Sequence, residues 1–202
     1  ENLKPGTFLV VKNNEKPLQY FFWRPEDVKQ SNVSFNEAID KTKGLLEKAV
    51  QNQLVGDVPV GVFLSGGIDS SCITAFAAKH YSKKLKTFAA AFDFENGTNE
   101  LHKARSVADF YDTDHEEMFI KGENLPSVIE RLVCHHDAPF SDAANIPLFL
   151  MAEQVKSTHK VILQGDGGDE IFAGYRRYQM LNELKKFKPM IAAGKLASVL
   201  PF

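Results

Sequence analysis

The chain has 202 residues, of which 44% are hydrophobic and 25% are charged, and its formal net charge is −2 at pH 7. That length is enough to bury one sizeable core, or one core with an appendage, and the near-neutral charge excludes recognition of nucleic acid or an anionic membrane through bulk charge. No run is apolar for long enough to span a membrane, and the only two cysteines, Cys72 and Cys134, fit reduced packing thiols better than a disulfide framework. We therefore expect a cytoplasmic protein.

The N-terminal region is predicted to differ from the rest of the chain. Two short β-rich runs within residues 6–23 flank a polar Asn-Asn turn, which is typical of a β-hairpin, and a polar, proline-containing linker follows. Ser34 and Glu37 have the spacing of a capping box and predict the start of an amphipathic helix. We therefore place a domain boundary between residues 1–33 and residues 34–202.

From this helix onward, strand-like and helix-like runs alternate. The predicted strands are Val58–Leu64, Lys86–Phe92, His115–Ile120 and Lys160–Leu163. The predicted helices cover residues 35–54, Asp69–Tyr81, Glu100–Tyr111, Leu125–His135, Ile146–Ser157 and a tail after Gly168. Such alternation predicts an α/β fold in which helices cover both faces of a parallel sheet, and such sheets bind ligands at the carboxyl ends of their strands.

The stretch VPVGVFLSGGIDSS, Val58–Ser71, places glycines and small polar residues directly after a buried strand. Ser65–Gly67 can bring bare N–H groups close to a phosphate, and the helix that follows points its positive end at the same place. Ser70 can add a hydroxyl donor. A carboxylate at Asp69 would repel an anion, so its presence suggests a Mg²⁺ ion that bridges protein and phosphate oxygens.

Other interpretations of this loop are possible on the residues alone. The string fits neither the G-x-x-x-x-G-K-S/T pattern nor the G-x-G-x-x-G pattern, so the Walker and Rossmann interpretations fail. A plainer alternative is a glycine turn in which Asp69 is an ordinary helix cap. The complete string after a strand favours an anion site.

Three ordered motifs resemble a known family. SGGIDS is similar to the SGGxDS loop of the N-type ATP pyrophosphatases. LQGDGGDEIFAGYRRY, Leu163–Tyr178, resembles the G-E/D-G-x-D-E-x-F-x-G-Y segment of the glutamine-dependent asparagine synthetases, and DAPFSDAANIP, Asp137–Pro147, resembles their DEPFxDxxxIP segment. The resemblance covers about Ser34–Tyr178. It implies an adenine nucleotide alpha hydrolase-like fold and an excised fragment, in which residues 1–33 are the end of a glutaminase domain and its linker.

The resemblance also implies a reaction. In such enzymes a substrate carboxylate attacks the α-phosphate of ATP and releases pyrophosphate, and ammonia converts the acyl-adenylate to an amide. Mg²⁺ and oriented N–H donors stabilise the pyrophosphate. The leading product is asparagine, made from aspartate with glutamine-derived ammonia. Amidation of a different carboxylate remains open, as do a nucleotide-binding or scaffold module that has lost its chemistry and a homodimer of the full-length protein. Nucleic acid and membrane partners are not expected.

The resemblance assigns site residues one by one. Asp69 and Asp169 are implied to bind Mg²⁺ at adjacent strand ends. Asp166 stands where the family often has Glu, at a position linked to forming or breaking down the adenylate, and it is shorter by one methylene. The residues implied to bind the nucleotide are Leu64, Ser65, Gly66, Gly67, Asp69, Ser70, Ala90, Gln164 and Gly165.

Several other residues carry open alternatives. His135 and His136 follow Cys134 without the spacing of a zinc site, so a solvent-facing helix end is the preferred interpretation. Arg177 could meet a phosphate or a substrate carboxylate, or lie on a solvated helix face. Asp142 could shape the acceptor pocket or have no role in the site.

The C-terminal lysines are predicted to face solvent. In the family, a lysine well downstream of the GYRRY segment offsets the charge that builds on pyrophosphate, and no motif with such a lysine can be matched between Gln179 and Phe202. The lysines that we leave outside the site are Lys185, Lys186, Lys188 and Lys195. We therefore expect the 202-residue fragment alone to bind ATP and Mg²⁺ weakly and to make no amide at a useful rate.

Overall fold

The structure is a computed structural model that describes residues 2–92, 100–122, 124–142 and 144–186. The chain divides into two compact units, Glu1–Leu45 and Leu46–Phe202. The domain boundary that we place after residue 33 remains a prediction.

The first unit contains the hairpin expected from the sequence. Strands β1 (Thr7–Val10) and β2 (Leu18–Phe21) pair antiparallel, with Thr7 opposite Phe21. Asn14 in the connecting turn has φ 61°, a left-handed conformation that asparagine tolerates better than most residues. The prediction of a β-hairpin is confirmed.

The first helix begins where the capping box predicts. Helix α1 spans Phe35–Gln53, and the backbone N–H of Glu37 donates a hydrogen bond to the Ser34 Oγ at 3.3 Å. This bond satisfies one of the four N–H groups that a helix start leaves without a partner.

The remaining elements alternate as the sequence predicts, and their ends agree with the predicted ends to within two residues. The strands are β3 (Val60–Phe63), β4 (Lys86–Phe92), β5 (Asp114–Ile120) and β6 (Val161–Leu163). The helices are α2 (Ile68–His80), α3 (Leu101–Phe110), α4 (Leu125–His136), α5 (Asn145–Val155), α6 (Gly168–Phe172) and α7 (Arg176–Lys186). The predicted tail helix is thus interrupted between α6 and α7, and the rest of that prediction lies outside the described residues.

The four strands of the second unit form a parallel sheet in the order β5-β4-β3-β6. Strand β6 pairs with β3, with Val60 opposite Val161 and Val62 opposite Leu163. The loops after β3 and β6 therefore leave the sheet side by side at its carboxyl edge, which confirms that the two motif loops meet at adjacent strand ends.

Helices cover both faces of this sheet, as predicted. On one face, the fully buried Val62 packs with Ala77 of α2, and Leu64 at the end of β3 packs with α3. On the other face, Phe88 of β4 packs with Val155 of α5. Alternate residues of a strand point to opposite faces, so each face receives its own apolar set.

Among the described residues, no helix is long and apolar enough to cross a membrane. Cys72 and Cys134 are both free thiols. Cys134 is exposed, so the expectation of a packing thiol is wrong at that position, because this side of α4 faces solvent.

Candidate active site

A cavity of about 920 Å³ opens at the carboxyl edge of the sheet. Its wall is built by the loop after β3, the end of β4, the start of α5 and the loop after β6. Of the residues that the sequence assigns to a site, the wall contains Leu64, Ser65, Gly67, Asp69, Ser70, Ala90, Gln164, Gly165, Asp166 and Asp169. The fold thus brings to one cavity residues that lie about a hundred positions apart in the chain. Their roles there remain predictions.

The loop after β3 is closed by its own serines. The backbone N–H of Ser65 donates to Ser70 Oγ at 3.2 Å, and the N–H of Gly67 donates to Ser65 Oγ at 3.2 Å. The two hydroxyl oxygens lie 3.0 Å apart. Two N–H groups that the sequence assigns to a phosphate therefore already have partners, and a phosphate bound here would exchange for these serine bonds.

Gly66 differs from its neighbours, because it shapes the loop and is absent from the described cavity wall. Its φ is +79°, and a Cβ at this position would lie 2.5 Å from Lys103 Cβ and 2.7 Å from the Ala104 nitrogen. Only glycine permits both this conformation and this close approach of α3. Gly66 therefore packs against α3, and its assignment to the nucleotide site stays a prediction.

The loop after β6 supplies a hydrogen-bond partner for Asp166. Gln164 Nε2 donates a hydrogen bond to Asp166 Oδ2 at 2.6 Å, and both residues lie on the cavity wall. Gly167 follows with φ +91°, a left-handed conformation that lets the chain turn into α6. The Asp166 carboxylate therefore has a hydrogen-bond partner within its own loop.

The two motif loops touch each other at Asp69. A Cβ on Gly165 would lie 2.7 Å from Asp69 Cβ, and a Cβ on Gly168 would lie 2.6 Å from Asp69 Cγ. The Asp69 carboxylate therefore lies against Gly168, the residue that precedes Asp169 in the chain.

The cavity wall is strongly acidic. Its carboxylates belong to Asp69, Glu100, Asp142, Asp166, Asp169 and Glu170. No lysine or arginine lines the cavity in the part of the chain that the structure describes. Glu100 is paired with Lys103 at 3.2 Å, but the wall as a whole carries an excess of negative charge that repels phosphates, so a polyphosphate requires cations to bind here.

The donor set on this wall fits Mg²⁺. Mg²⁺ prefers oxygen ligands, commonly one or two carboxylates together with phosphate oxygens and water. Asp69 and Asp169 supply two carboxylates, and Asp69 lies against the residue next to Asp169. Within the described ranges, no three His, Cys, Asp or Glu residues form a metal cluster, so water oxygens, together with phosphate oxygens when a nucleotide is bound, would have to complete the coordination.

Glu100, Glu170 and Tyr175 line the cavity although the sequence did not single them out. The Tyr175 hydroxyl donates to Glu170 Oε1 at 2.8 Å, and this bond raises the pKa of Tyr175 above its usual value. The sequence could have indicated that the two acids lie near the site, because Glu100 directly precedes the helix after β4 and Glu170 follows Asp169. The tyrosine contact depends on the turn between α6 and α7, which the sequence pattern does not specify.

The residues with open alternatives fall into two groups. Asp142 lines the cavity, and its Oδ1 accepts the backbone N–H of Ala144 at 3.0 Å. Arg177 lies over the Tyr175 ring at 4.2 Å and is absent from the described cavity wall. The exposed histidines at the end of α4 contact aromatic rings, since His135 lies 5.8 Å from the Phe149 ring.

The prediction for the C-terminal lysines concerns side chains beyond the described part of the chain. The side chains of Lys185 and Lys186, together with Lys188 and Lys195, lie outside the described residues.

Comparison with known proteins gives a consistent result. The family model for asparagine synthase matches residues 41–200. A putative glutamine-hydrolyzing asparagine synthetase of Mycobacterium bovis is 35% identical over 98% of this chain and 31% of its own length. The putative glutamine-hydrolyzing asparagine synthetase 2 of Methanocaldococcus jannaschii is 31% identical over 87% of this chain and 35% of its own length. The chain thus spans about a third of the length of these curated relatives.

One solved structure that was compared with this chain is the U34-tRNA thiolase NcsA from Methanococcus maripaludis with its [4Fe-4S] cluster. The match covers 77% of this chain and 55% of the thiolase chain, with 17% sequence identity and a TM-score of 0.48. A likeness at this level carries no inference about function.

Proposed function

The chain belongs to the asparagine synthase family, and on that premise we propose that it is the ATP-binding part of an enzyme that makes an amide through an acyl-adenylate. The observation that carries the proposal is the meeting of the SGGIDS and GDGGDE loops around one cavity at the carboxyl ends of β3 and β6. Ligand sites of open parallel sheets lie in this position.

The reaction has two steps. In the first, an oxygen of the acceptor carboxylate attacks the α-phosphorus of ATP, the bond from that phosphorus to the bridging oxygen breaks, and pyrophosphate leaves. In the second, ammonia attacks the acyl carbon, a proton is lost from the nitrogen, and AMP leaves with one of the original carboxylate oxygens. The products are an amide, AMP and pyrophosphate.

The loop after β3 is proposed to hold the departing pyrophosphate. The hydroxyls of Ser65 and Ser70 and the N–H groups at the start of α2 face the cavity end of this loop. A phosphate bound here would take over donors that now bond the serines of the same loop, and such donors stabilise charge that develops on the leaving group. The positive end of the α2 dipole favours an anion at the same position.

Asp69 and Asp169 are the proposed ligands of Mg²⁺. The ion would neutralise charge on the pyrophosphate as it leaves. A positive charge is needed because the described residues of the cavity wall include six carboxylates and no lysine or arginine.

Asp166 is proposed to act on the adenylate, either in its formation or in its use by ammonia. Its carboxylate accepts a hydrogen bond from Gln164 at 2.6 Å. In the second step a carboxylate at this position can accept the proton that the attacking ammonia loses, and such general-base catalysis typically contributes about 10²–10⁴-fold to a rate.

Aspartate is the leading acceptor because the family resemblance points to it. Leu64 and Ala90 at the ends of β3 and β4, with Gln164 and Gly165, are proposed to meet the adenosine. Asp142 and the start of α5 remain for the acceptor side of the cavity. The second candidate is amidation of a different carboxylate, and the third is a nucleotide-binding or scaffold module without chemistry.

A panel of acids distinguishes these candidates. The full-length protein is incubated with ATP, Mg²⁺, ammonia and one acid at a time, and pyrophosphate is measured. Pyrophosphate release that depends on aspartate supports the asparagine assignment, and release that depends on another acid moves the assignment to that acid. The absence of acid-dependent release with every member of the panel would favour the module without chemistry.

A further inference from the structure

Two glycines, Gly168 at the start of α6 and Gly174 between α6 and α7, lie directly against the carboxylates that we assign to Mg²⁺. A Cβ on Gly168 would lie 2.6 Å from Asp69 Cγ and 2.7 and 2.9 Å from its two carboxylate oxygens. A Cβ on Gly174 would overlap Asp169 Oδ1 and lie 2.9 Å from Asp169 Cγ. Real Cβ atoms essentially never come within 3.0 Å of another heavy atom, so each site excludes any larger residue while the carboxylate stays where it is.

Backbone conformation does not require glycine at either position. The described glycines with positive φ are Gly6, Gly66 and Gly167, and Gly168 and Gly174 are not among them. An alanine at either position could keep the native backbone. What excludes it is contact with a neighbouring carboxylate.

We infer that Gly168 and Gly174 are positioning residues, which set where the Asp69 and Asp169 carboxylates point and thereby how tightly the site binds a divalent cation. The inference rests on the proposed function in one respect, namely that these two carboxylates bind the metal ion. It adds that the two carboxylates can keep their positions only because Gly168 and Gly174 have no side chains.

The contacts predict that a methyl group added at either glycine displaces the neighbouring carboxylate and leaves the backbone in place. At Gly168 and Gly174 the nearest atoms belong mainly to the far end of an aspartate side chain, which can rotate away. Gly165 is different, because a Cβ there would lie 2.9 Å from the backbone nitrogen of Ser70. Alanine at Gly165 would therefore disturb the loop itself, and this position is unsuitable as a test.

A small displacement is enough to weaken the site. Mg²⁺ demands nearly ideal octahedral geometry with oxygens at about 2.1 Å. Changes to groups that orient metal ligands typically weaken metal binding by about 10- to 100-fold. We expect effects of this size from Gly168→Ala and Gly174→Ala.

The chain offers two matched controls for the loss of a glycine. Gly167 has φ +91°, and a Cβ there would have no other atom within 4 Å, so Gly167→Ala strains the loop without touching a carboxylate. Gly56 lies in a bend before β3, and a Cβ there would also have nothing within 4 Å. Gly56→Ala therefore shows how replacement of a glycine by alanine outside the site affects stability and metal binding.

The experiment measures Mn²⁺ binding to the full-length protein without nucleotide, through the electron paramagnetic resonance signal of free Mn²⁺, together with the Tm of each variant. Gly168→Ala and Gly174→Ala should raise the Kd for Mn²⁺ by about 10- to 100-fold while the protein stays folded. Gly167→Ala should lower Tm and keep the Kd near the wild-type value, and Gly56→Ala should keep both.

Several results would overturn the inference. They are wild-type affinity in both Gly168→Ala and Gly174→Ala, loss of the fold in both, or an equal loss of affinity in Gly167→Ala. Asp69→Asn and Asp169→Asn separate this inference from the proposed function. If they bind Mn²⁺ as the wild type does, the metal assignment itself is wrong; if they lose binding while the glycine variants keep it, only the positioning role is wrong.

Discussion

Gln164 and Asp166 are joined by a hydrogen bond of 2.6 Å between Nε2 and Oδ2, at the wall of the cavity that both motif loops share. The bond links two residues of one short loop, so the Asp166 carboxylate has a partner that does not depend on any other element.

Substitution of Asp166 should affect the rate of amide formation. Asp166→Ala should lower kcat by about 10²-fold or more, because it removes the carboxylate proposed to act on the adenylate. Asp166→Glu restores the carboxylate and should retain most of the activity. The measurement is the steady-state rate of pyrophosphate release by the full-length protein, and an unchanged rate in Asp166→Ala would reduce this residue to a structural role.

Asp69→Asn and Asp169→Asn should each abolish adenylation and leave the fold at least as stable as before. Both carboxylates lie on a wall with four other acids, and removal of one charge relieves repulsion when no metal ion is bound. Tm without Mg²⁺ and pyrophosphate release with Mg²⁺ test the two halves of this prediction. Full synthetase activity in either variant would remove the metal assignment.

Removal of divalent cations should weaken ATP binding more than it does at a site lined with lysine or arginine. The described cavity wall has no basic side chain, so the triphosphate would meet only carboxylates and neutral donors. We expect the Kd for ATP to rise at least about tenfold when EDTA replaces Mg²⁺, as measured by equilibrium dialysis of the full-length protein. Equal affinity under both conditions would show that another cation neutralises the triphosphate.

We expect the stability of the protein to depend on pH through His115. Its Nδ1 lies 2.9 Å from Thr87 Oγ1, while its buried Nε2 has no hydrogen-bond partner among the described residues. Burial lowers the pKa of His115 below the usual value of 6.5. Below pH 6.5 the unfolded chain therefore binds a proton that the folded chain resists, and stability falls as the pH decreases until the folded pKa is passed.

Replacement of this histidine tests the prediction. His115→Gln should lose less Tm between pH 7.5 and pH 5.5 than the parent protein does, because one linked proton is removed. His135→Gln, at an exposed position on α4, controls for the loss of an imidazole as such. An identical pH dependence in His115→Gln and the parent would contradict the prediction.

The sequence was sufficient to predict most of the fold, because alternating runs, the capping box at Ser34 and the glycines after β3 each specify local structure. It was also sufficient to predict that the two motif loops lie at the carboxyl edge of the sheet. It was not sufficient for contacts that depend on loop conformation. The close approach of Gly66 to α3 depends on its positive φ, and the Tyr175–Glu170 bond depends on the turn between two helices.

Transfer of oxygen from the acceptor to AMP tests the central claim most directly. The full-length protein is given ATP, Mg²⁺, ammonia and aspartate whose side-chain carboxylate carries ¹⁸O, and the phosphorus-containing products are analysed by mass spectrometry. An acyl-adenylate requires one labelled oxygen in AMP, together with unlabelled pyrophosphate and an amount of amide equal to that of AMP. Label in orthophosphate, with ADP as the nucleotide product, would contradict the account, because it would mean that the carboxylate attacks the γ-phosphate instead of the α-phosphate.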